Sequence, residues 1–238
     1  MICAMQTQRE PVVALVVAAG SGSRLGGPVP KALVEVDGRP LVRWSVDALA
    51  AGGCERAVVV AAADLVDTFR EVLAQASVPV VVVAGGARRQ DSVAHGLDAA
   101  GADGIVLVHD AARPFVPSTV VADVIAAVRN GHVCVIPAVP VVDTIRQLDG
   151  DSSATVDRST LVAVQTPQGF DLATLRAAHA EAARLGLEVT DDAGILEALG
   201  HPVHLVRGAR DAMKVTEPLD VAFAEAIHAL RKTPQEQS

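Results

Sequence analysis

The chain has no tyrosine, one tryptophan and four phenylalanines. So few rings leave no stacking platform of the kind that holds single-stranded nucleic acid, and they make the core aliphatic. An excess of positive charge is also missing: 20 basic against 28 acidic residues give a formal net charge of −8. That balance argues against a nucleic-acid or anionic-membrane surface, so an anionic ligand needs a local cationic pocket. The three cysteines, Cys3, Cys54 and Cys134, are widely scattered, with neither metal-ligand spacing nor a disulfide framework. Cys134 falls in an apolar run and reads as a small core residue. No apolar stretch reaches membrane-spanning length without a Gly, Pro or charge. Residues 1–11 lack the charged start and apolar run of a signal peptide. These absences predict a cytoplasmic protein with neither membrane nor nucleic acid as partner.

What is present is half hydrophobic over 238 residues, enough for one α/β domain with a large core. Short Val-rich runs at 12–18, 57–61, 80–84, 105–109, 133–138 and 203–206 read as strands. Ala-rich stretches at 41–51, 64–76, 91–99, 118–130, 172–185, 191–199 and 219–231 read as helices. Continuous apolar strands alternating with helices predict a mostly parallel sheet with both faces covered. Gly101, Gly131, Gly186 and Gly200 stand where helices should stop, and Ser118 after Pro117 reads as an N-cap. Residues 139–164 break the alternation and read as a β-hairpin arm of a single domain spanning 1–238. A hairpin alone is marginal and is steadier packed on a second subunit; the alternative is a surface loop of a monomer.

The densest signal is Ala18-Ala19-Gly20-Ser21-Gly22-Ser23-Arg24-Leu25-Gly26-Gly27-Pro28-Val29-Pro30-Lys31. A glycine-rich loop after a buried strand brings backbone N–H groups against a phosphate chain. Arg24 and Lys31 add two permanent positive charges beside it. The spacing fits neither the P-loop nor the dinucleotide fingerprint. Ligands of open parallel sheets bind at the carboxyl ends of the strands, which here carry residues 18–31, 85–92, 110–113 and 137–140. In the second of these, Gly85-Gly86 would let backbone groups approach a flat base, with Ser92 supplying one more bond; equally, Asp91 or Ser92 would cap the next helix. In His109-Asp110-Ala111-Ala112-Arg113-Pro114, Asp110 reads as a partner for a sugar hydroxyl or a Mg²⁺ ion and Arg113 as an anion contact, or the two form a structural ion pair. His109 reads as a packed histidine rather than a general base. Gln165-Thr166-Pro167-Gln168 and Thr190-Asp191-Asp192-Ala193 are weaker, and Thr190 would serve as a helix cap. Lys214 is a lone cation between a strand and a helix.

These blocks, in this order, resemble the 2-C-methyl-D-erythritol 4-phosphate cytidylyltransferase family. The matching stretches are AAGSGSRLGGPVPKAL, GGARRQDSVAHGL, VHDAARPFV, PVVDTI, VDRSTLVAVQTPQGF, TDDAGILEALG and DAMKVTEPLDVAFAE, spanning residues 18–226. The resemblance implies a Rossmann-like nucleotidyltransferase fold, CTP and a polyol phosphate as substrates, Mg²⁺ held mainly by the CTP phosphates, and a homodimer with exchanged arms. It implies that Ala18, Ala19 and Gly20 lie on the nucleotide and that Arg24 and Lys31 hold the CTP phosphates and the transition state. Gly86, Ala87 and Ser92 would read cytosine, and Asp110 and Ala111 would meet ribose or the polyol. Arg113 and Thr166 would meet polyol hydroxyls. Thr190 and Lys214 would hold the acceptor phosphate, joined by Thr144 and Arg158 from the partner's arm. A cyclodiphosphate synthase domain, fused in some relatives, is not expected.

Overall fold

The computed structural model describes residues 10–20 and 29–232. Arg24, expected in the phosphate clamp, lies outside the described residues. β1 (Val12–Val17) is followed by the short hairpin of β2 (Glu35–Val36) and β3 (Arg39–Pro40). α1 (Leu41–Ala51), β4 (Arg56–Ala61), α2 (Val66–Leu73), β5 (Val80–Ala84) and α3 (Arg89–Ala99) then alternate. β6 (Ile105–Asp110), α4 (Ser118–Arg129) and β7 (Cys134–Pro140) continue the pattern. Four strands follow without an intervening α-helix: β8 (Ile145–Asp149), β9 (Ser152–Val156), β10 (Val162–Val164) and β11 (Gln168–Asp171). α5 (Leu172–Leu185), α6 (Asp192–Ala198), β12 (His204–Arg207) and α7 (Pro218–Lys232) complete the order.

The main sheet runs β7-β11-β6-β1-β4-β5, with β10 and β12 also paired to β7. β6, β1, β4 and β5 are mutually parallel, as expected. β10 is antiparallel to β7, and β11, a strand the apolar pattern does not reveal, lies antiparallel between β6 and β7. Val135 pairs with both Gly169 of β11 and His204 of β12, so those two strands flank β7 on opposite sides.

Strand geometry sends alternate side chains to opposite faces. Val12, Ala14 and Val16 of β1 meet the apolar faces of α1, α2 and α4, while Val13 and Leu15 meet α3, α5 and α6. Both faces are therefore covered, which is why the strands are continuously apolar. Each fully buried Val or Leu contributes about 1.5–3 kcal/mol, so valine in number replaces aromatic bulk. Gly186 ends α5 in the left-handed region at φ 65°, and Gly101, Gly131 and Gly200 also carry positive φ after their helices.

Two local expectations are corrected. Pro117, extended at ψ 141°, holds the N-cap position of α4, and Ser118 is already the first helical residue. The stretch at 64–76 divides into a 3-10 turn, Ala63–Leu65, and a shorter α2. Within 139–164, β8 and β9 pair as a separate two-stranded sheet whose side chains are mostly exposed, Leu148 by 80 %. No helix among the described residues is long and apolar enough to cross a membrane.

Candidate active site

The loops at the carboxyl ends of β1, β5 and β6 face one another across a cavity of about 440 Å³. Ala18, Ala19, Gly20 and Lys31 form one wall, and Gly86, Ala87 and Ser92 a second. Asp110, Ala111 and Arg113 form the floor side, with Thr166, Thr190 and Lys214 completing the rim. Thr144 and Arg158, expected to reach the site from a partner's arm, do not line this chain's own cavity. Both are exposed on the 139–164 segment, where the Arg158 guanidinium donates to the Val142 carbonyl. Residues 137–140, expected among the site-bearing strand ends, instead continue β7 and pair with β10 and β12. Their place is taken by the segment joining β10 to β11, which brings Gln165 and Thr166 to the cavity.

Local sequence explains these positions. Lys31 opens a 3-10 turn directly after Pro30, pinned by the buried Ala32. At Gly86 a Cβ would stand 2.4 Å from the Asp91 Cβ, so only glycine lets the loop close over the start of α3. Arg88 is the N-cap of α3, and Asp91 reaches back to accept the Arg88 N–H at 3.1 Å. Ser92 Oγ accepts the Gly86 N–H at 3.1 Å and donates to the Arg88 carbonyl at 3.1 Å, bracing the same loop. At α6 the cap is Asp191, which accepts the Gly194 N–H at 3.0 Å, and not Thr190.

The described lining carries five cations, Lys31, Arg88, Arg89, Arg113 and Lys214, against two carboxylates, Asp110 and Asp191. In a chain of charge −8 this is the local cationic pocket an anion requires. Lys214 Nζ donates to Asp110 Oδ2 at 2.6 Å. Burial pushes the Asp110 carboxyl up, but Lys214 and then Arg89 outweigh it and hold the group below the ordinary carboxylate value. Asp110 thus pairs with Lys214 rather than with Arg113, whose Nη1 donates to the Ala212 carbonyl at 2.8 Å. Arg113 Nε is buried with no acceptor among the described residues.

Behind the rim lies a charge cluster that the sequence does not announce. Asp192 is fully buried, with Arg89 Nη1 2.7 Å from Oδ2 and His179 Nε2 3.0 Å from Oδ1. The arginine contact is an ion pair by distance but is misaligned as a hydrogen bond, so Oδ2 has no well-directed donor. Burial would raise the Asp192 carboxyl; the His179 bond and the Arg89 charge together hold it low. Gln168 Nε2 donates to Asp191 Oδ2 at 2.7 Å, and its Oε1 accepts the Ala193 N–H at 3.2 Å. Arg89 and Asp192 stand inside stretches that drew notice for other residues, and neither has a local signal of its own.

The match to known proteins covers the same span. The model of the family described as 2-C-methyl-D-erythritol 4-phosphate cytidylyltransferase matches residues 12–230. A relative of that name from Saccharopolyspora erythraea is 50 % identical over 225 residues, covering 92 % of this chain and 99 % of the relative. Another, from Nocardia farcinica, is 48 % identical over 219 residues, covering 91 % of this chain and 93 % of the relative. The crystal structure of the Thermus thermophilus protein of that name superimposes with a TM-score of 0.76 at 39 % identity, over 93 % of this chain and 99 % of that one. A 4-diphosphocytidyl-2C-methyl-D-erythritol synthase from Anaerococcus prevotii gives a TM-score of 0.81 at 28 % identity, over 94 % and 99 %. The sequence and backbone matches each cover nearly the whole chain, and the chain belongs to the 2-C-methyl-D-erythritol 4-phosphate cytidylyltransferase family.

Proposed function

We propose that the chain transfers a cytidylyl group from CTP to 2-C-methyl-D-erythritol 4-phosphate, giving 4-diphosphocytidyl-2-C-methyl-D-erythritol and pyrophosphate. The observation that carries this reading is the gathering of Lys31, Arg113 and Lys214 with the Gly86 loop on one cavity of an otherwise acidic protein. Near-full-length relatives of that name support it. A phosphate oxygen of the acceptor attacks the α-phosphorus of CTP in line. The new O–P bond forms as the bond to the departing pyrophosphate breaks. The nucleophile is already an anion, so no side chain has to take a proton from it. Catalysis then rests on holding two polyanions in register and on cations set where charge grows.

In this proposal Ala18, Ala19 and Gly20 lie along the triphosphate, the Ala18 N–H being already given to the Val60 carbonyl at 2.8 Å, and Arg24 and Lys31 hold its charge. Gly86, Ala87 and Ser92 read cytosine, and Asp110 and Ala111 meet ribose or the polyol. Arg113 and Thr166 meet polyol hydroxyls, and Thr190 and Lys214 hold the acceptor phosphate. A hard divalent ion needs only one or two carboxylates when phosphates supply its other oxygens. Among the described residues no three His, Cys, Asp or Glu side chains cluster to hold one, and the carboxylates on the cavity are Asp110 and Asp191. That donor set fits a Mg²⁺ ion carried mainly by CTP, with Asp110 beside it. When bound, the ion would neutralise the triphosphate and ease departure of pyrophosphate. The buried free thiols of Cys54 and Cys134 suit the cytoplasm as its location.

The exposed 139–164 segment is proposed as a dimerisation arm that carries Thr144 and Arg158 to the partner's acceptor phosphate. Its support is the isolation of β8 and β9 from the main sheet, since a lone two-stranded hairpin is marginal. Arg158→Ala is expected to raise the KM for the acceptor by about tenfold or more, the scale of one charge-assisted hydrogen bond. Mixed dimers of Arg158→Ala with Lys31→Ala should regain part of the lost activity. Absence of any recovery would refute arm exchange.

Pyrophosphate release tests the reaction itself. Purified protein with Mg²⁺ and CTP is expected to release it with methylerythritol phosphate and not with ribitol 5-phosphate. Release with ribitol 5-phosphate alone would keep the fold but replace the substrate. Release with neither, despite CTP binding, would point to a regulator.

A further inference from the structure

His109 lies just behind the cavity floor, fully buried, and the reaction as proposed gives it no task. Its two ring nitrogens nevertheless touch two of the proposed substrate-binding positions. Nε2 is 3.1 Å from the Arg113 carbonyl oxygen, and Nδ1 is 3.0 Å from Thr166 Oγ1. The N–H of a third, Asp110, points at the same Thr166 oxygen from 3.2 Å.

These contacts, with the donor and acceptor capacity of each group, assign the protons. A carbonyl oxygen only accepts, so His109 Nε2 carries the hydrogen. The ring is completely buried and its two hydrogen-bond partners are uncharged oxygens, not carboxylates, so a charged imidazolium would be uncompensated and the ring is neutral. Nδ1 of a neutral ring protonated at Nε2 is an acceptor. Thr166 must therefore donate its single hydrogen to His109. One lone pair of Thr166 is taken by the Asp110 N–H, and one remains. Thr166, only 7 % exposed, lines the cavity.

We infer that His109 is a positioning residue that makes Thr166 an acceptor-only group, so that this part of the cavity takes a hydroxyl donor and rejects a phosphate oxygen, a carbonyl or another acceptor. The same ring holds the Arg113 carbonyl, and so couples Thr166 to the turn that carries Arg113. The inference rests on the reading of Thr166 as a polyol contact. It deepens that reading by stating which partner of the hydrogen bond the substrate must be. A neighbouring hydroxyl satisfies a buried acceptor, whereas an acceptor placed there leaves two oxygens facing each other with no proton between them.

Two substitutions separate positioning from packing. Asparagine places an amide oxygen near the position of Nδ1 and keeps an acceptor for Thr166. Glutamine is closer to histidine in size and reaches the Arg113 carbonyl, but leaves the Thr166 hydrogen without its acceptor. His109→Gln is expected to raise the KM for methylerythritol phosphate by about tenfold, with the KM for CTP within about twofold, as for loss of one oriented hydrogen bond. His109→Asn should recover most of that loss. A structural role would give the opposite order, with glutamine the better replacement, and that order would overturn the inference. An equal rise in both KM values would overturn it too.

A second measurement needs no variant. In the full-length protein labelled with ¹⁵N-histidine, long-range ¹⁵N–¹H correlations at neutral pH are expected to find His109 protonated at Nε2 alone. Protonation at Nδ1 would reverse the Thr166 hydrogen and end the proposal. Failure of the unmodified protein to turn over methylerythritol phosphate would instead remove the proposed reaction, leaving the tautomer result to stand by itself.

Discussion

Lys31→Ala is expected to lower kcat by a hundredfold or more while the KM for CTP moves only a few-fold. The reason is where the residue sits. It opens a 3-10 turn on the lining of the cavity it shares with Lys214 and Arg113, with its backbone held by Pro30 and the buried Ala32. In the proposed arrangement CTP is held by many groups, including the backbone N–H donors of Ala19 and Gly20, so one lysine would contribute little to its binding. The transition state is different. Charge there moves onto the oxygens around the α-phosphorus and onto the leaving pyrophosphate, and a preorganised cation responds to that change. Removing one such group costs about 3–4 kcal/mol of barrier. Steady-state kinetics of pyrophosphate release give both constants. A normal kcat with a raised KM would make Lys31 a ground-state binder only and would cancel its catalytic assignment.

Asp192→Ala is expected to lower stability by about 3–5 kcal/mol. Asp192 is completely buried, and its carboxylate is the counter-ion for Arg89 and the acceptor for His179. Truncation leaves a guanidinium and an imidazole facing a hole, with the cost of desolvating them no longer offset. The sign of the pH effect follows from the lowered carboxyl. A depressed carboxylate contributes stability that is fully present above its unfolded value and is lost as pH falls through the folded one. At neutral pH, therefore, urea denaturation of the variant against the unmodified protein reads the whole contribution. A loss below about 1 kcal/mol would mean the cluster behaves like a surface ion pair. Because Arg89 lines the cavity and Asp192 opens α6, the variant also loosens two walls together.

The parts of this fold that were legible in sequence are those where local pattern and tertiary place agree. The valine run of β5, a half-exposed edge strand, and the alanine-rich helices α1 and α5 have the expected bounds, because an unbroken β-branched run and good helix formers leave no competing reading. β11 escaped because Gln168-Gly169-Phe170-Asp171 has no alternation to detect. Its burial depends on Gln168 meeting Asp191 and Ala193, contacts 23 and 25 residues away. The Arg89–Asp192 pair is hidden for the same reason: an aspartate two residues after a threonine reads as a solvated helix start. The loops after β1, β5 and β6 did disclose their part of the cavity, since glycines and cations packed after an apolar run serve no core. Residues 137–140 misled because β7 runs past the level at which the other strands end, held there by its later partners.

That last arrangement bears on how the protein is made. Among the described residues β7 pairs with β10, β11 and β12, all of which follow it in the chain. When β7 leaves the ribosome none of its partners yet exists, and the free edge of β6 is likewise waiting for β11. At translation rates of about 5–20 residues per second, the roughly sixty residues from β6 to β11 take ~3–12 s. Throughout that interval a nascent unit of β1, β4, β5 and β6 presents an apolar, unpaired edge at the centre of the future sheet, which makes synthesis, rather than the finished enzyme, the stage most exposed to aggregation.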